Sequence, residues 1–422
     1  MSRIGAVLVV IVSACSACAV DFPASVAPVG DGGTDTDIDT DTDSDTDTDT
    51  DTDSDTDTDT DTDTDSDTEP GTDTSSGTGD TESCAWRMQL TLDNGASAET
   101  LLGFPLPVIL DSSAIDYAHT ADTGQDVLFT DSDGTTLLPH EIESWDETGT
   151  SVVWVRVPAI DSGSSTDHIW IYYGCDSAPA EDPAQVWSEG YVAVWHLADT
   201  ALDELTTAEH VDSTGGGSAG QQNGNAGVSG LLADAQEFDG DDFVRVSDSG
   251  LLDITGDVTL EAWVRFDTLP DNNDFGFVAA KHDTGFDERS YALYLYGDNP
   301  RFLISNDGVD QISVVSDVEA VASQWHYMVG VWNGGSGPNA MKIYVDGLLC
   351  GTEVGPTPAQ IHTGTADLII GAKLFSGDAN LWIDGRIDEV RLSDVDRSAA
   401  WIAAQHLAAT GGFVTFGDEE SL

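Results

Sequence analysis

The chain has 422 residues, with 13 Lys and Arg against 78 Asp and Glu, a formal net charge of −65 at pH 7. A surface this acidic repels nucleic acid and anionic lipid headgroups and excludes both as direct partners. Its nine His and five Cys residues form no C-x-x-C pair, no H-E-x-x-H and no histidine cluster, so no zinc motif is written in the sequence.

The first residues, MSRIGAVLVVIVSAC, place one Arg before an apolar stretch from Ile4 to Val12 and then small residues up to Cys15. That is the pattern of a secretory signal peptide, assigned to residues 1–14. Its apolar part is far shorter than the ~20 residues a membrane-spanning helix needs. Val12-Ser13-Ala14-Cys15 resembles the lipobox of bacterial lipoproteins, which implies lipidation at Cys15 and an exported protein held at the bacterial outer membrane or cell surface by its N-terminal lipid. The alternative is cleavage after Ala17-Cys18-Ala19, which yields a secreted protein. From Thr34 to Thr68 the chain alternates Asp with Thr or Ser, with Ile38 its one apolar residue. Ordering such a run costs roughly 1–2 kcal/mol per residue with no burial to offset it, so residues 15–82 read as a disordered acidic linker. Calcium loops begin Asp-x-Asp-x-Asp, but they also need Gly at the sixth place and Glu at the twelfth, and the run offers neither. Extended, it spans on the order of 100 Å.

Beyond Thr81 only three Lys residues occur, so the rest of the protein is acidic too, suited to a medium whose salt screens self-repulsion over less than ~10 Å. Short β-rich runs follow one another, broken by Asp-Gly, Asn-Gly and Pro, with little helical periodicity, and this predicts an all-β protein of two sandwiches. Residues 83–187 form the first. "SVVWVRVP" (Ser151–Pro158) and "HIWIYYG" (His168–Gly174) are dense in Val, Ile, Trp and Tyr, as buried strands are. "FTDSDGTTLLPHEIESW" (Phe129–Trp145) reads as strand, Asp133-Gly134 turn and strand, with Asp131 and Asp133 as turn residues. Cys84 precedes the first strand and Cys175 ends "HIWIYYG". Export permits a Cys84–Cys175 disulfide that ties the ends of this domain together, and two unpaired buried thiols are the alternative. These stretches, together with "WRMQLTLDN" and "FPLPVIL", resemble the bacterial domain of unknown function 2341, a family that supplies a boundary near Trp187 and no established activity.

Residues 188–422 form the second sandwich. In Val258–Phe266 the alternate residues Val258, Leu260, Ala262, Val264 and Phe266 are apolar, a period-two strand with one face in a core, and the other face carries Glu261, Trp263 and Arg265. "SYALYLYGDNPRFLIS" predicts a hairpin through Gly297–Pro300, and "MKIYVDGLLCG" another through Asp346-Gly347. With "QWHYMVGVW", "LIIGA" and "WIDGRIDEVRLSD", these segments resemble a laminin-G-like, concanavalin A-like jelly roll. The tail predicts one clear helix, capped by Ser398, with Trp401, Ile402 and Gln405 at helical spacing and Gly411-Gly412 ending it.

Sandwiches of this kind share their fold with glucanases, so hydrolysis has to be tested on residues. A retaining glycosidase needs two carboxyl groups about 5–5.5 Å apart. "EIESWDE" offers Glu141, Glu143 and Asp146, but in the first domain. "WIDGRIDEV" offers Asp384, Asp388 and Glu389, and neither stretch reproduces the Glu-x-Asp-x-x-Glu strand of jelly-roll glucanases. The expectation is therefore a non-catalytic protein. The resemblance implies recognition of a glycan or glycoprotein, and the places for a sugar to stack are Trp263, Tyr294, Tyr296 and Trp382, each of which is otherwise a buried sheet aromatic. A structural role in an envelope assembly is the alternative. The resemblance also implies one structural Ca²⁺, held by the early loop Phe238-Asp239-Gly240 and by Asp388. Otherwise Asp239 caps a turn and Asp388 faces solvent or pairs with Arg391.

Overall fold

The computed structural model describes residues 81–199 and 209–422. The signal peptide, Cys15 and the Asp-Thr linker lie outside the described residues. Between Cys84 and Phe416 the chain builds two β-sandwiches, the all-β architecture expected.

In the first sandwich a sheet containing Cys84–Leu92, Asp167–Cys175, Leu128–Thr130 and Leu137–Leu138 faces a three-stranded sheet of Leu101–Leu110, Ser151–Ile160 and His140–Ser144. Met88, Leu90, Phe104, Leu106, Val155, Ile169 and Ile171 fill the space between them. The Asp133-Gly134 turn forms as read: Asp133 accepts the amides of Thr135 and Thr136, both at 2.8 Å. Pro139 then stands where the chain leaves one sheet for the other, at a point where a residue without an N–H breaks the ladder at no cost. Cys84 and Cys175 lie opposite each other in the register and are joined by a disulfide. Cys350 is buried elsewhere, its thiol donating to the Leu348 carbonyl at 3.3 Å.

The second sandwich packs a ten-stranded sheet on an eight-stranded one. Val258, Leu260, Ala262, Val264 and Phe266 all enter the core between them. The hairpin of Met341–Val345 and Leu348–Thr352 turns through Asp346 (φ 52°) and Gly347 (φ 78°). Two successive positive φ angles match the twist of the flanking strands, and Gly takes the second at no steric cost. The strands Glu288–Tyr296 and Asn299–Gly308 close the other predicted hairpin.

The helix runs Ala399–Ala409, with the Ser398 hydroxyl accepting the Trp401 amide at 3.1 Å. Its docking differs from the expectation that the tail belongs to the jelly roll. Gln405 donates to the Pro105 carbonyl at 2.9 Å, Trp401 packs edge-on to Phe104, and the strand Val414–Phe416 pairs with Leu90–Leu92 of the first sandwich. The helix therefore lies between the sandwiches. The first sandwich's core runs on through Trp401, Ile402 and Ala408 to Trp263, Tyr327 and Tyr344 on the outward face of the eight-stranded sheet.

Candidate functional site

That continuous core decides the first of the proposed sugar platforms. Trp263 is 3 % exposed, stacked on Tyr327 at 4.9 Å and on His406 of the helix at 5.5 Å. Glu261 beside it is also buried, accepting a hydrogen bond from the Tyr327 hydroxyl. The face that reads as polar and solvent-facing is thus an interface between the two sandwiches, and Trp263 offers no surface to a ligand. Trp382 is half-buried against Ile369, Ala372 and Leu374.

Tyr294 and Tyr296 fall elsewhere, on the outward face of the ten-stranded sheet. In Glu288–Tyr296 the residues Tyr291, Leu293 and Leu295 point into the core, so Ala292, Tyr294 and Tyr296 point out. On the neighbouring strand Phe275–Asp283 the register shifts between Phe277 and Ala279. Phe275 and Phe277 stand on the outer side with the tyrosines. Tyr294 stacks on Phe277 at 5.0 Å with an interplanar angle of 12°, and Phe275 meets Tyr296 at 4.7 Å. Arg301 covers the Tyr296 ring at 4.7 Å, so that ring is braced and not free to receive a ligand.

Over this aromatic floor, in which Tyr294 and Phe277 are 2 % and 3 % exposed and Phe275 is partly exposed, opens a cleft of about 260 Å³, with His282, Thr284, Arg289, Gln311 and Lys373 at its sides. Among the described residues no carboxylate lines it, although Asp287 Oδ1 stands 3.7 Å from Arg289 and the chain carries a net charge of −65. The His282 Nε2 lies 3.2 Å from Gln311 Oε1, and Lys373 Nζ donates to Thr284 Oγ1 at 2.7 Å. Arg289 donates to the Gly308 carbonyl at 2.9 Å, which fixes its guanidinium at the rim. Burial pushes the His282 imidazole down to about 4, so it is neutral at pH 7. Burial also pushes the Lys373 ammonium down to about 8, with Arg289 adding to the effect and Asp283 opposing it. Phe375, on the same short strand as Lys373, is 56 % exposed, and Phe286 is 62 % exposed. Of these lining residues only Tyr294 was named from sequence. Phe275 and Phe277 carried a usable signal, an aromatic at alternate positions one strand before the tyrosine pair.

The larger groove, about 670 Å³ beside Tyr191 and Leu251, is lined by Asp253, Asp257 and Asp394 and by no cationic side chain. Its aromatics, Trp187 and Tyr191, are buried, as Phe277 and Tyr294 are in the cleft, and what it lacks is the cleft's cationic rim.

The residues expected to hold Ca²⁺ are not brought together. Asp239 pairs with Asp384 across the strands, which leaves Asp388 four residues further along, about 13 Å at ~3.3 Å per residue. Asp239 and Gly240 sit in an exposed turn with Asp241 and Asp242, where Asp242 accepts the Asp239 amide at 2.7 Å. Asp388 is fully buried, accepting the Leu231 amide at 2.8 Å and the Leu232 amide at 3.0 Å. Its neighbour Glu389, and not Asp388, pairs with Arg391.

The two acidic stretches read from sequence as separate do converge. Glu141 and Glu143 of the first sandwich meet Glu389 of the second around His196, with every one of these side chains at most 11 % exposed. Burial, with Glu389 adding to it, pushes Glu143 up to about 8. Burial also works against Glu389, but His196 and Arg391 hold that carboxyl below its ordinary range.

Residues 238–403 match the family model of the concanavalin A-like lectin/glucanases superfamily, and residues 123–207 match the domain of unknown function DUF2341. No curated protein sequence is significantly similar to the chain. Among solved structures, domain 4 of an extracellular GH43 arabinanase from Geobacillus stearothermophilus, determined with arabinotriose, is 16 % identical with a TM-score of 0.38, over 50 % of this chain and 96 % of that one. The binding domain of Paraclostridial Mosquitocidal Protein 1 is 13 % identical with a TM-score of 0.40, over 52 % of each chain. The chain thus spans about half the length of that toxin domain. The SAP-like pentraxin of Limulus polyphemus is 16 % identical with a TM-score of 0.30, over 39 % of this chain and 83 % of that one. At these scores none of the three bears on what this chain binds.

Proposed function

The chain joins a domain of unknown function 2341 to a laminin-G-like, concanavalin A-like domain, and from that premise we propose that it is a non-catalytic, adhesion-type module that binds a glycan bearing an anionic group. One observation carries the reading. In a chain of net charge −65, the cleft over Phe275, Phe277 and Tyr294 is rimmed by Arg289, Lys373 and His282 and, among the described residues, by no acid. Sugar rings present apolar C–H faces to aromatic rings and hydroxyls to polar rims, and ligand sites combine these two surfaces. A uronate or sialate carboxylate would meet Lys373 and Arg289 in surroundings where charge is weakly screened.

The absence of catalysis is part of the same proposal. Hydrolysis needs a carboxyl pair open to substrate, whereas the cleft has no acid and the carboxylates that do cluster, Glu141, Glu143 and Glu389, are sealed between the sandwiches. Display at the cell surface through a lipid on Cys15 completes the reading, with the acidic linker holding the module away from the membrane. A glycan array probed with the whole chain tests it. Retention of carboxylated over neutral oligosaccharides, weakened tenfold or more by Phe275→Ala or Lys373→Met, is the expected result. Release of shortened sugars would replace it with an enzyme, and silence across the array with a structural role.

A further inference from the structure

The cluster around His196 is unusual for its composition. Five carboxylates, Glu141, Glu143, Glu261, Asp388 and Glu389, are packed in the interior about Arg391 and His196. Buried carboxylates that outnumber their cations are met either by protons or by further positive charge, and a bound cation would supply the second.

Its geometry is built to one point. His196 Nδ1 is 2.6 Å from Glu389 Oε1 and 3.7 Å from Glu143 Oε2. One donor atom from each of the three residues lies within 4.8 Å of the others. Donors held ~2.0–2.2 Å from a tetrahedral cation stand roughly 3.4 Å apart, within the spread seen here. The remaining atoms of these side chains are mostly fixed by outer partners. His196 Nε2 faces Glu141 Oε2 at 3.3 Å. Glu141 in turn accepts from Trp187 Nε1 at 2.6 Å and Ser213 Oγ at 2.7 Å. Arg391 holds Glu389 Oε2, and Trp154 Nε1 donates to Glu143 Oε2 at 2.7 Å. A carboxylate behind an imidazole is the arrangement that orients a metal-binding histidine and fixes its tautomer.

Two further observations concern the same residues and their neighbour Asp388. Glu143 Oε1, on a side chain 1 % exposed, has no hydrogen-bond partner, and neither does Asp388 Oδ1 on a residue 0 % exposed. The strand carrying Glu389 is also bent to reach His196. Between Glu261 opposite Arg391 and Trp263 opposite Asp388 the register slips by one residue, and Glu389 takes a φ of 56°. A bulge with a non-glycine residue in the left-handed region is strained and turns a side chain that regular pleating would aim elsewhere.

We propose that Glu143, His196 and Glu389 bind a first-row divalent transition metal of the Zn²⁺ class, which fastens the first sandwich to the second. One imidazole among carboxylates suits such an ion better than Ca²⁺, which takes six to eight oxygens. The sites for the three ligands are so far apart in the chain that no spacing motif announces them.

Co²⁺ and Zn²⁺ titrated into the whole chain after chelation test the proposal. One equivalent of Co²⁺ should bind and develop visible absorption, Zn²⁺ should displace it, and either ion should raise the melting temperature. Glu143→Gln, which keeps the shape and the Trp154 contact, should abolish the absorption, and Glu141→Gln should weaken binding 10–100-fold. Asp239→Asn in the exposed acidic turn should leave both unchanged. Wild-type protein that binds neither ion overturns the proposal, as does Co²⁺ binding that persists in Glu143→Gln or disappears in Asp239→Asn. Should Glu143→Gln fail to fold, the wild-type titration and the Asp239→Asn control decide alone.

Discussion

The second sandwich has two outward faces, and each is the reverse of what its residues suggest. The outer face of the eight-stranded sheet carries Glu261, Trp263 and Arg391, and yet Glu261 and Arg391 are 1 % exposed. The outer face of the ten-stranded sheet carries Phe275, Phe277 and Tyr294, and yet that is the face left with an open cleft. Burial of charge is tolerated where partners are exact in position, as with Arg391 between Glu389 and Trp154 (4.6 Å from ring to guanidinium). On the other face the aromatics brace one another, Phe277 and Tyr294 being buried, and Phe275 is the floor residue left partly open. A polar face in a sequence therefore marks either water or a specific partner surface, and only the second demands paired charges.

The hardest way to break this comparison is to remove the buried cation. Arg391→Met should cost about 3–5 kcal/mol, because it strands Glu389 and Glu261 in the interior; urea unfolding of the variant reads it, and a loss under 1 kcal/mol would mean that the acids are paired by something else. Trp263→Ala comes next, at about 3 kcal/mol for an emptied aromatic site. It should leave sugar binding by the folded fraction unchanged, whereas Phe275→Ala should do the opposite, and a binding loss from Trp263→Ala would reverse the assignment of the two faces.

The cleft should also respond to pH. Lys373 is held down to about 8 by burial, so it is charged below that pH and neutral above it. An anionic ligand favours the charged form. Affinity is therefore full below pH 8 and falls as pH rises through it, up to about tenfold, or ~1.4 kcal/mol. Calorimetry from pH 6 to 9.5 should give this slope in wild type and a flat line in Lys373→Met. The smallest effect belongs to the helix wedged between the sandwiches. Ser398→Ala should cost about 1 kcal/mol through the lost cap on the Trp401 amide, measurable as a shift in the urea midpoint, and a neutral result would show that the packing of Trp401 and Gln405 alone holds that end.

Much of the fold was legible because its signals are local. The alternation in Val258–Phe266, the Asp346-Gly347 turn and the Ser398 cap each lie within one element, and each formed. The Cys84–Cys175 pair was readable because both residues bound one domain. The candidate sites were less so. Trp263 and Tyr294 are both buried sheet aromatics, and period-two alternation could not show it, because it tells which residues share a face and not what lies against it. Glu141 and Glu143 were set aside for lying in the other domain from Glu389, and it is the docking of the domains, encoded in no local spacing, that joins them. The bulge at Glu389 was invisible for the same reason, since it takes a partner strand to reveal an extra residue.

The return of the tail to the first sandwich governs the order in which the protein can be finished. Val414–Phe416 pairs with Leu90–Leu92, and the Leu422 amide donates to the Ala85 carbonyl at 2.9 Å. The second sandwich is thus an insertion within the first, whose edge stays open until residues 414–422 have been made. Contacts this distant in sequence close slowly. During synthesis the strand Cys84–Leu92 waits with an unpaired edge, a template for mispairing with another nascent chain, and a chain cut before Val414 would keep that hazard for life.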